Sequence, residues 1–267
     1  MAEKYRAKYP IQTLEKAIDI LTYIRDNSTS SGLSLVQISE GVGMVKSSVH
    51  RFLDTFLEYD FVEKINDGMY YRLGWGAYRL GCNIPSTNNM ESEKITFALN
   101  GLSNYFGEII NLGIKNNDSM IIIKRFFPEP SLCRHKLITN VTIGEREPLH
   151  CTGIGKLFLS DMTDEEIISV FNGEKNKCLT EFSITDKDKL IEEIAKVRKQ
   201  GYAIDNREAS LEVFCIAAPI RNFEGKIVSG ISISVPVGRI ENEKIEQTAE
   251  KLKETALEIS RSMGYMG

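Results

Sequence analysis

The run Lys46-Ser47-Ser48-Val49-His50-Arg51 gathers two cations, two hydroxyls and an imidazole into a few consecutive positions. Those types suit a polyanion with readable edges. The Lys46 ammonium is a point charge for phosphate, and the Ser47 and Ser48 hydroxyls can cap a helix or bond phosphate oxygens. The planar fork of Arg51 can donate a bidentate pair to guanine, with His50 beside it. Further along, Cys151-Thr152-Gly153-Ile154-Gly155-Lys156 pairs side-chain-free glycines with the start of a helix, whose free N–H groups suit an anion. Ser232 and Ser234 lie two apart in a strand-like run, so their hydroxyls share a face, and Val213 and Cys215 have the same relation. A rival chemistry reads Cys215, or Cys151 with His150, as a thiol nucleophile, and Asp205 with Glu208 as a carboxylate pair. Sequence neighbours do not make a catalytic triad, which needs nucleophile, base and an orienting group to meet in space. No G-x-S-x-G, P-loop or H-E-x-x-H run accompanies them.

The elements that would hold these groups follow from periodicity. Leu14, Ala17, Ile18, Leu21 and Ile24 recur at helical spacing and predict a helix over about 12–26. Ser34 followed by Gln37 predicts a capping box opening a short helix, Leu35 to Glu40, which "GVGM" ends in a turn. In the next helix Val49, Phe52, Leu53, Phe56 and Leu57 form the core stripe, leaving Ser47, His50, Arg51 and Asp54 on the other face. Two β-rich runs joined through Asp67-Gly68 read as a hairpin. Helix, short helix, turn, long helix, hairpin is the order of a winged helix-turn-helix. Residues 73–90 read as a linker helix and polar loop, dividing a domain at 1–72 from one at 91–267. The second half mixes strand-like runs with amphipathic helices without a regular period, which makes it α+β.

Composition narrows the class. The chain has 267 residues, 42% hydrophobic and 26% charged, with a formal net charge of −4. The excess acidity sits in the second part: residues 1–85 carry 10 basic and 10 acidic groups, against 23 and 27 in 86–267. Bases cluster at Lys4, Arg6 and Lys8 and again at Lys46 and Arg51, so an acidic average leaves room for a positive face. No apolar run approaches a membrane span and the amino terminus lacks a leader's apolar core, so a cytoplasmic location is expected. The five cysteines are odd in number and contain no C-x-x-C pair, which argues for reduced thiols. Cys133, His135, His150 and Cys151 fit no standard zinc spacing, and neither metal nor cofactor is expected.

Five segments in register give the chain a family likeness. "TLEKAIDIL", "LSLVQISEGVGMVKSSVHRFLDTF", "PLHCTGIGKLFL", "GYAIDNREAS" and "CIAAPIRNFEGKIVSGISIS" resemble, in order and spacing, the signatures of the IclR family of bacterial transcription regulators. The resemblance implies a winged helix-turn-helix, a linker helix and a GAF-like effector domain, assembled as dimers or dimers of dimers. It implies a double-stranded DNA operator and a small organic or sugar acid as effector, with repression the expected mode. On the DNA side, Lys46, Ser47, Ser48, His50 and Arg51 are the expected contacts, with Arg6, Lys8, Gln12 and Lys64 for the backbone. Carried over position by position, the family's pocket falls on Gly153, Ile154, Asp205, Val213, Cys215, Ser232 and Ser234, with Leu137 as an apolar wall. One departure stands out: members often have a glycine and an arginine in "G-x-R-C", where this chain has "EVFC". Phe214 in place of the arginine removes a positive charge near the expected pocket edge, which leaves effector charge open to a neutral, larger or hydroxylated ligand. A winged-helix module for a protein partner is the remaining alternative; the exposed cations favour nucleic acid, since a protein-binding helix would present apolar anchors.

Overall fold

A computed structural model describes residues 8–28, 31–65, 68–82, 93–133, 142–171 and 178–267, with backbone alone at 78, 81, 82 and 242. The chain divides into compact units at residues 5–86 and 87–267. Among the described residues no helix is long and apolar enough to cross a membrane.

In the first unit α1 (Gln12–Asn27), α2 (Leu35–Gly41) and α3 (Lys46–Glu58) pack around Ile20, Ile24, Ile38, Val49 and Leu53, all fully buried. The Ser34 hydroxyl accepts from the Gln37 N–H and the Gln37 side chain returns to the Ser34 N–H, so the expected capping box forms. Two expectations shift. The buried line of α1 is Ile20 and Ile24, while Leu14 and Ile18 stay exposed. The residue before α3 is Val45, with no side-chain cap, so Ser47 and Ser48 lie inside the helix instead of capping it. The wing pairs β2 (Val62–Ile65) with β3 (Tyr70–Leu73) in antiparallel register, Val62 opposite Leu73. A short β1 (Leu33–Ser34), absent from the sequence reading, adds to the other edge of β3. Asp67 lies outside the described residues; Gly68 has a φ of +84°, the left-handed region a tight turn uses. The first turn of α4 (Trp75–Cys82) follows directly.

The second unit is built on a six-stranded antiparallel sheet in the order β6-β5-β4-β9-β8-β7. Its strands are β4 (Ile109–Asn116), β5 (Ser119–Phe126), β6 (Arg146–Pro148), β7 (Ala203–Asn206), β8 (Val213–Arg221) and β9 (Ile227–Pro236). Alternation divides the faces. Ile110, Leu112, Phe214, Ile216, Ile231 and Ile233 pack beneath α5 (Glu93–Phe106) and α9 (Ile245–Ser262). Met120, Ile122, Ala203 and Ala217 pack beneath α6 (Gly153–Ser160), α7 (Asp164–Val170) and α8 (Lys187–Gln200). The Thr163–Glu166 capping box opens α7, and Gly201, at φ +77°, ends α8. The terminal helix α9 begins after two short 3-10 turns.

Candidate functional site

On α3 the sequence reading of the two faces holds. Val49 and Leu53 are buried, whereas Lys46, Ser47, His50, Arg51 and Asp54 are exposed and Ser48 is intermediate. The His50 Nδ1 lies 3.0 Å from an Asp54 carboxylate oxygen one turn on, which fixes the imidazole and leaves Nε2 outward. Arg51 and Lys46 have no ion-pair partner among the described residues. Lys64 projects from the wing over the Tyr71 ring, 5.7 Å from its centroid. Lys8 and Gln12 are exposed before and at the start of α1; Arg6 lies outside the described residues.

The α6 face of the sheet carries a polar row across five strands. Asp205 on β7 sits opposite Cys215 on β8, Cys215 opposite Ser234 on β9, and Ser232 opposite Asn111 on β4. Asn111 Nδ2 donates to Ser234 Oγ at 2.9 Å and to Ser232 Oγ at 3.3 Å, and Arg125 Nε on β5 donates to Asn111 Oδ1 at 3.3 Å. Cys215 Sγ lies 3.4 Å from Ser234 Oγ. All but Arg125 and Cys215 are buried; Asn111, Ser232 and Ser234 satisfy one another, and Asp205 draws on backbone N–H groups beyond β7. Val213 is buried on the same strand face, at the end of β8.

Arg125 arrives on this face because of a register shift in β4–β5 between Leu112 and Gly113. Unbroken alternation from Met120 and Ile122 would put Arg125 on the opposite face. The extra residue of the bulge reverses the phase, which turns Phe126 into the α5 core and Arg125 onto Asn111. Burial lowers the Arg125 pKa, yet a guanidinium stays charged. Arg125 was missed in the sequence because no period predicts a bulge, and Asn111 because its place depends on β4 pairing with the distant β9.

Two sequence arguments change. Phe214 packs under α5 and α9, on the face away from the row, so it does not govern charge there; Arg125 supplies the cation. The glycines serve close packing. A Cβ on Gly153 would lie 3.1 Å from the Ala217 Cβ, and one on Gly155 would lie within 2.5 Å of Leu149 Cα. Thr152 caps α6 by accepting the Gly155 N–H. Ile154 seats its branches over Gly113 and Gly230. Gly153 and Ile154 therefore set the helix start against β8, β4 and β9, next to the row. Leu137 and His135 lie outside the described residues.

The rival catalytic groups have structural work. Lys156, with 1% of its surface exposed, extends from α6 to Glu208 at 2.6 Å and to the Ile204 carbonyl at 2.8 Å. Asp205 Oδ1 accepts the Glu208 N–H at 2.7 Å and the Ala209 N–H at 3.3 Å. Burial, then the neighbouring Glu208 charge, pushes the Asp205 carboxyl up to about 7. Burial foremost, and Asp205 next, pushes both the Cys151 and Cys215 thiols well up. A protonated thiol is a poor nucleophile. His150 packs edge-on against Phe171, centroids 5.5 Å apart.

Comparison with known proteins bears on both units. The IclR helix-turn-helix domain model matches residues 13–65, and the model for the C-terminal part of the bacterial transcriptional regulator IclR matches residues 90–261. The HTH-type transcriptional repressor AllR of Salmonella typhi is 28% identical over 253 residues, 95% of this chain and 90% of its own length. The crystal structure of the Thermotoga maritima IclR shares 28% identity and a TM-score of 0.76, covering 95% of this chain and 99% of that one. An IclR homolog from Microbacterium hydrocarbonoxydans, solved in complex with 4-hydroxybenzoate, has the same fold at 19% identity, with a TM-score of 0.69 over 94% of this chain and 98% of that one. The chain belongs to the IclR family of bacterial transcriptional regulators: it is a helix-turn-helix DNA-binding regulator with an effector-binding C-terminal domain, and not an enzyme.

Proposed function

We propose that this regulator reads an operator through the start of α3 and answers to a small carboxylic acid bound on the polar row beneath α6. The reading set is Lys46, Ser47, Ser48, His50 and Arg51, with Arg6, Lys8, Gln12 and Lys64 on backbone phosphates. The effector set is Gly153, Ile154, Asp205, Val213, Cys215, Ser232 and Ser234, with Leu137 as an apolar wall, joined by Asn111 and Arg125. The observation that carries the effector class is the charge gradient of the row. It runs from the Arg125 guanidinium, through neutral amide and hydroxyl groups, to Asp205. A ligand with a carboxylate at one end and a hydroxyl donor at the other matches both ends. The 4-hydroxybenzoate bound by the Microbacterium homolog has that two-ended chemistry.

The domains run as 1–72, 73–90 and 91–267, the middle stretch serving as linker. Repression is the mode, as in the AllR relative's name. The working species is a homodimer or dimer of dimers in the cytoplasm. Supporting self-association, Ile11, Leu14 and Ile18 form an exposed apolar stripe on α1, at 67%, 55% and 49% exposure.

Coupling requires that the acid prefer one DNA-binding arrangement over the other. Thermal-shift screening of small organic and sugar acids identifies a stabilising ligand by mass action. Arg125→Gln is expected to weaken that ligand by about tenfold or more, the worth of one hydrogen bond to a charged group. Fluorescence anisotropy on a duplex selected by the protein from a random pool then reports coupling. An operator affinity that stays flat across ligand concentrations overturns the effector reading.

A further inference from the structure

The opposite face of the same sheet holds a cavity of about 440 Å³. It opens between the carboxy-terminal end of α5 and the amino-terminal turns of α9. Its floor is apolar: Phe106, Phe214, Ile216, Ile233 and Val235. At its inner end lies a buried ion pair, Glu108 with Arg239, 3.1 Å apart, both side chains mostly removed from solvent. Arg239 spends one terminal nitrogen on Glu108; its other, Nη1, is buried and has no partner among the described residues. A buried N–H without an acceptor is costly, so a ligand that supplies one gains that interaction in full.

The charge of the missing acceptor follows from its surroundings. Glu108 already balances the guanidinium. At the rim Lys244 pairs with Glu241 at 2.6 Å and Lys251 with Glu254 at 3.0 Å, so the rim is balanced too. A carboxylate would bring an uncompensated charge beside Glu108 into an apolar pocket. A carbonyl oxygen would not. We propose that this cavity is a second ligand site, taking an uncharged apolar molecule that ends in a carbonyl oxygen, which accepts a hydrogen bond from Arg239 Nη1. The volume lies in the range of small-molecule pockets. Phe214 forms part of its floor. The two sites are wired through shared strands: Phe214 and Ile233 face this cavity while Cys215 and Ser234, their chain neighbours, face the polar row. The inference does not rest on the acid site of the other face.

Three matched probes test it on the full chain by calorimetric titration. 4-Phenyl-2-butanone carries the apolar body and the carbonyl, butylbenzene lacks the oxygen, and 3-phenylpropanoate replaces the terminal methyl with a charged oxygen. The ketone is expected to bind saturably, one per chain, and about tenfold more tightly than either relative. Val235→Phe or, should that variant fold poorly, Thr248→Phe fills the cavity and abolishes binding. Arg239→Gln reduces the ketone to the level of butylbenzene, and Glu108→Gln narrows the gap between ketone and propanoate. Lys226→Ala, in the exposed turn between β8 and β9 and at neither site, leaves ketone binding in place. Non-saturable uptake, equal binding of ketone and butylbenzene, survival of binding in both filled variants, or its loss in Lys226→Ala overturns the proposal.

Discussion

In the proposed reading of the operator, Arg51 is the residue on which specificity turns. It stands one turn into α3, exposed, with Asp54 already engaged by His50 and so not competing for its guanidinium. Replacement by alanine is expected to cost about 1–3 kcal/mol at the selected duplex and much less at a scrambled one. Gel-shift titration of both duplexes checks this; an unchanged ratio of affinities removes Arg51 from the reading set. Asp205 gives a second residue-scale test through pH. Its carboxyl is pushed up from 3.8 to about 7 by burial and by Glu208, so the native state holds the proton more tightly than the unfolded chain does. The stabilisation this gives is complete below the unfolded value and is lost as pH rises to about 7. Asp205→Asn keeps an oxygen to accept the Glu208 and Ala209 N–H groups but cannot titrate. Denaturant unfolding between about pH 4 and 8 should show the variant gaining on the parent as pH rises. A difference that is constant across that range would argue that the carboxyl titrates normally.

At the scale of elements, α6 is the piece that holds the polar-row face together. From Gly153 to Leu159 every residue is buried, and Lys156 anchors the helix to the β7 turn through Glu208. Its fit is steric before it is chemical. Gly155→Ala would drive a methyl group into the Leu149 backbone, and a loss of about 3 kcal/mol is expected from overpacking. Thr163→Ala, one element on, removes half of the α7 capping box and should cost about 1 kcal/mol. Thermal melts of both variants compare the two effects. If Gly155→Ala proved the milder, the packing account of this glycine would fail. The β4–β5 bulge belongs at this scale too, since a single extra residue decides which face Arg125 serves.

Over the whole molecule the operative quantity is charge distribution. Net charge is −4, so long-range attraction cannot bring the protein to DNA and local cations must do it. Lys46→Ala is therefore expected to weaken every duplex about equally and to reduce the salt slope of binding by about one, because one fewer counterion is released. Log affinity plotted against log salt for selected and random duplexes measures this. A slope that does not change would mean that Lys46 makes no phosphate contact.

The sequence by itself determined the helices and caps of both units: the Ser34–Gln37 and Thr163–Glu166 boxes, the buried and exposed faces of α3, and the stop at Gly201 are local, set by spacing and φ. Alternation also put Ser232 with Ser234 and Val213 with Cys215 on shared faces, while the family likeness alone set Asp205 beside them. Three matters were left to tertiary structure. β1 and β6 are two and three residues long, too short for any period, and exist only because a neighbouring edge accepts them. Arg125 joins the row through a bulge in β5, which interrupts the alternation that sequence reading depends on, and Asn111 joins it through the pairing of β4 with the distant β9. The glycines of α6 and the side of Phe214 were decided by what lies against them, and those partners are distant in the chain.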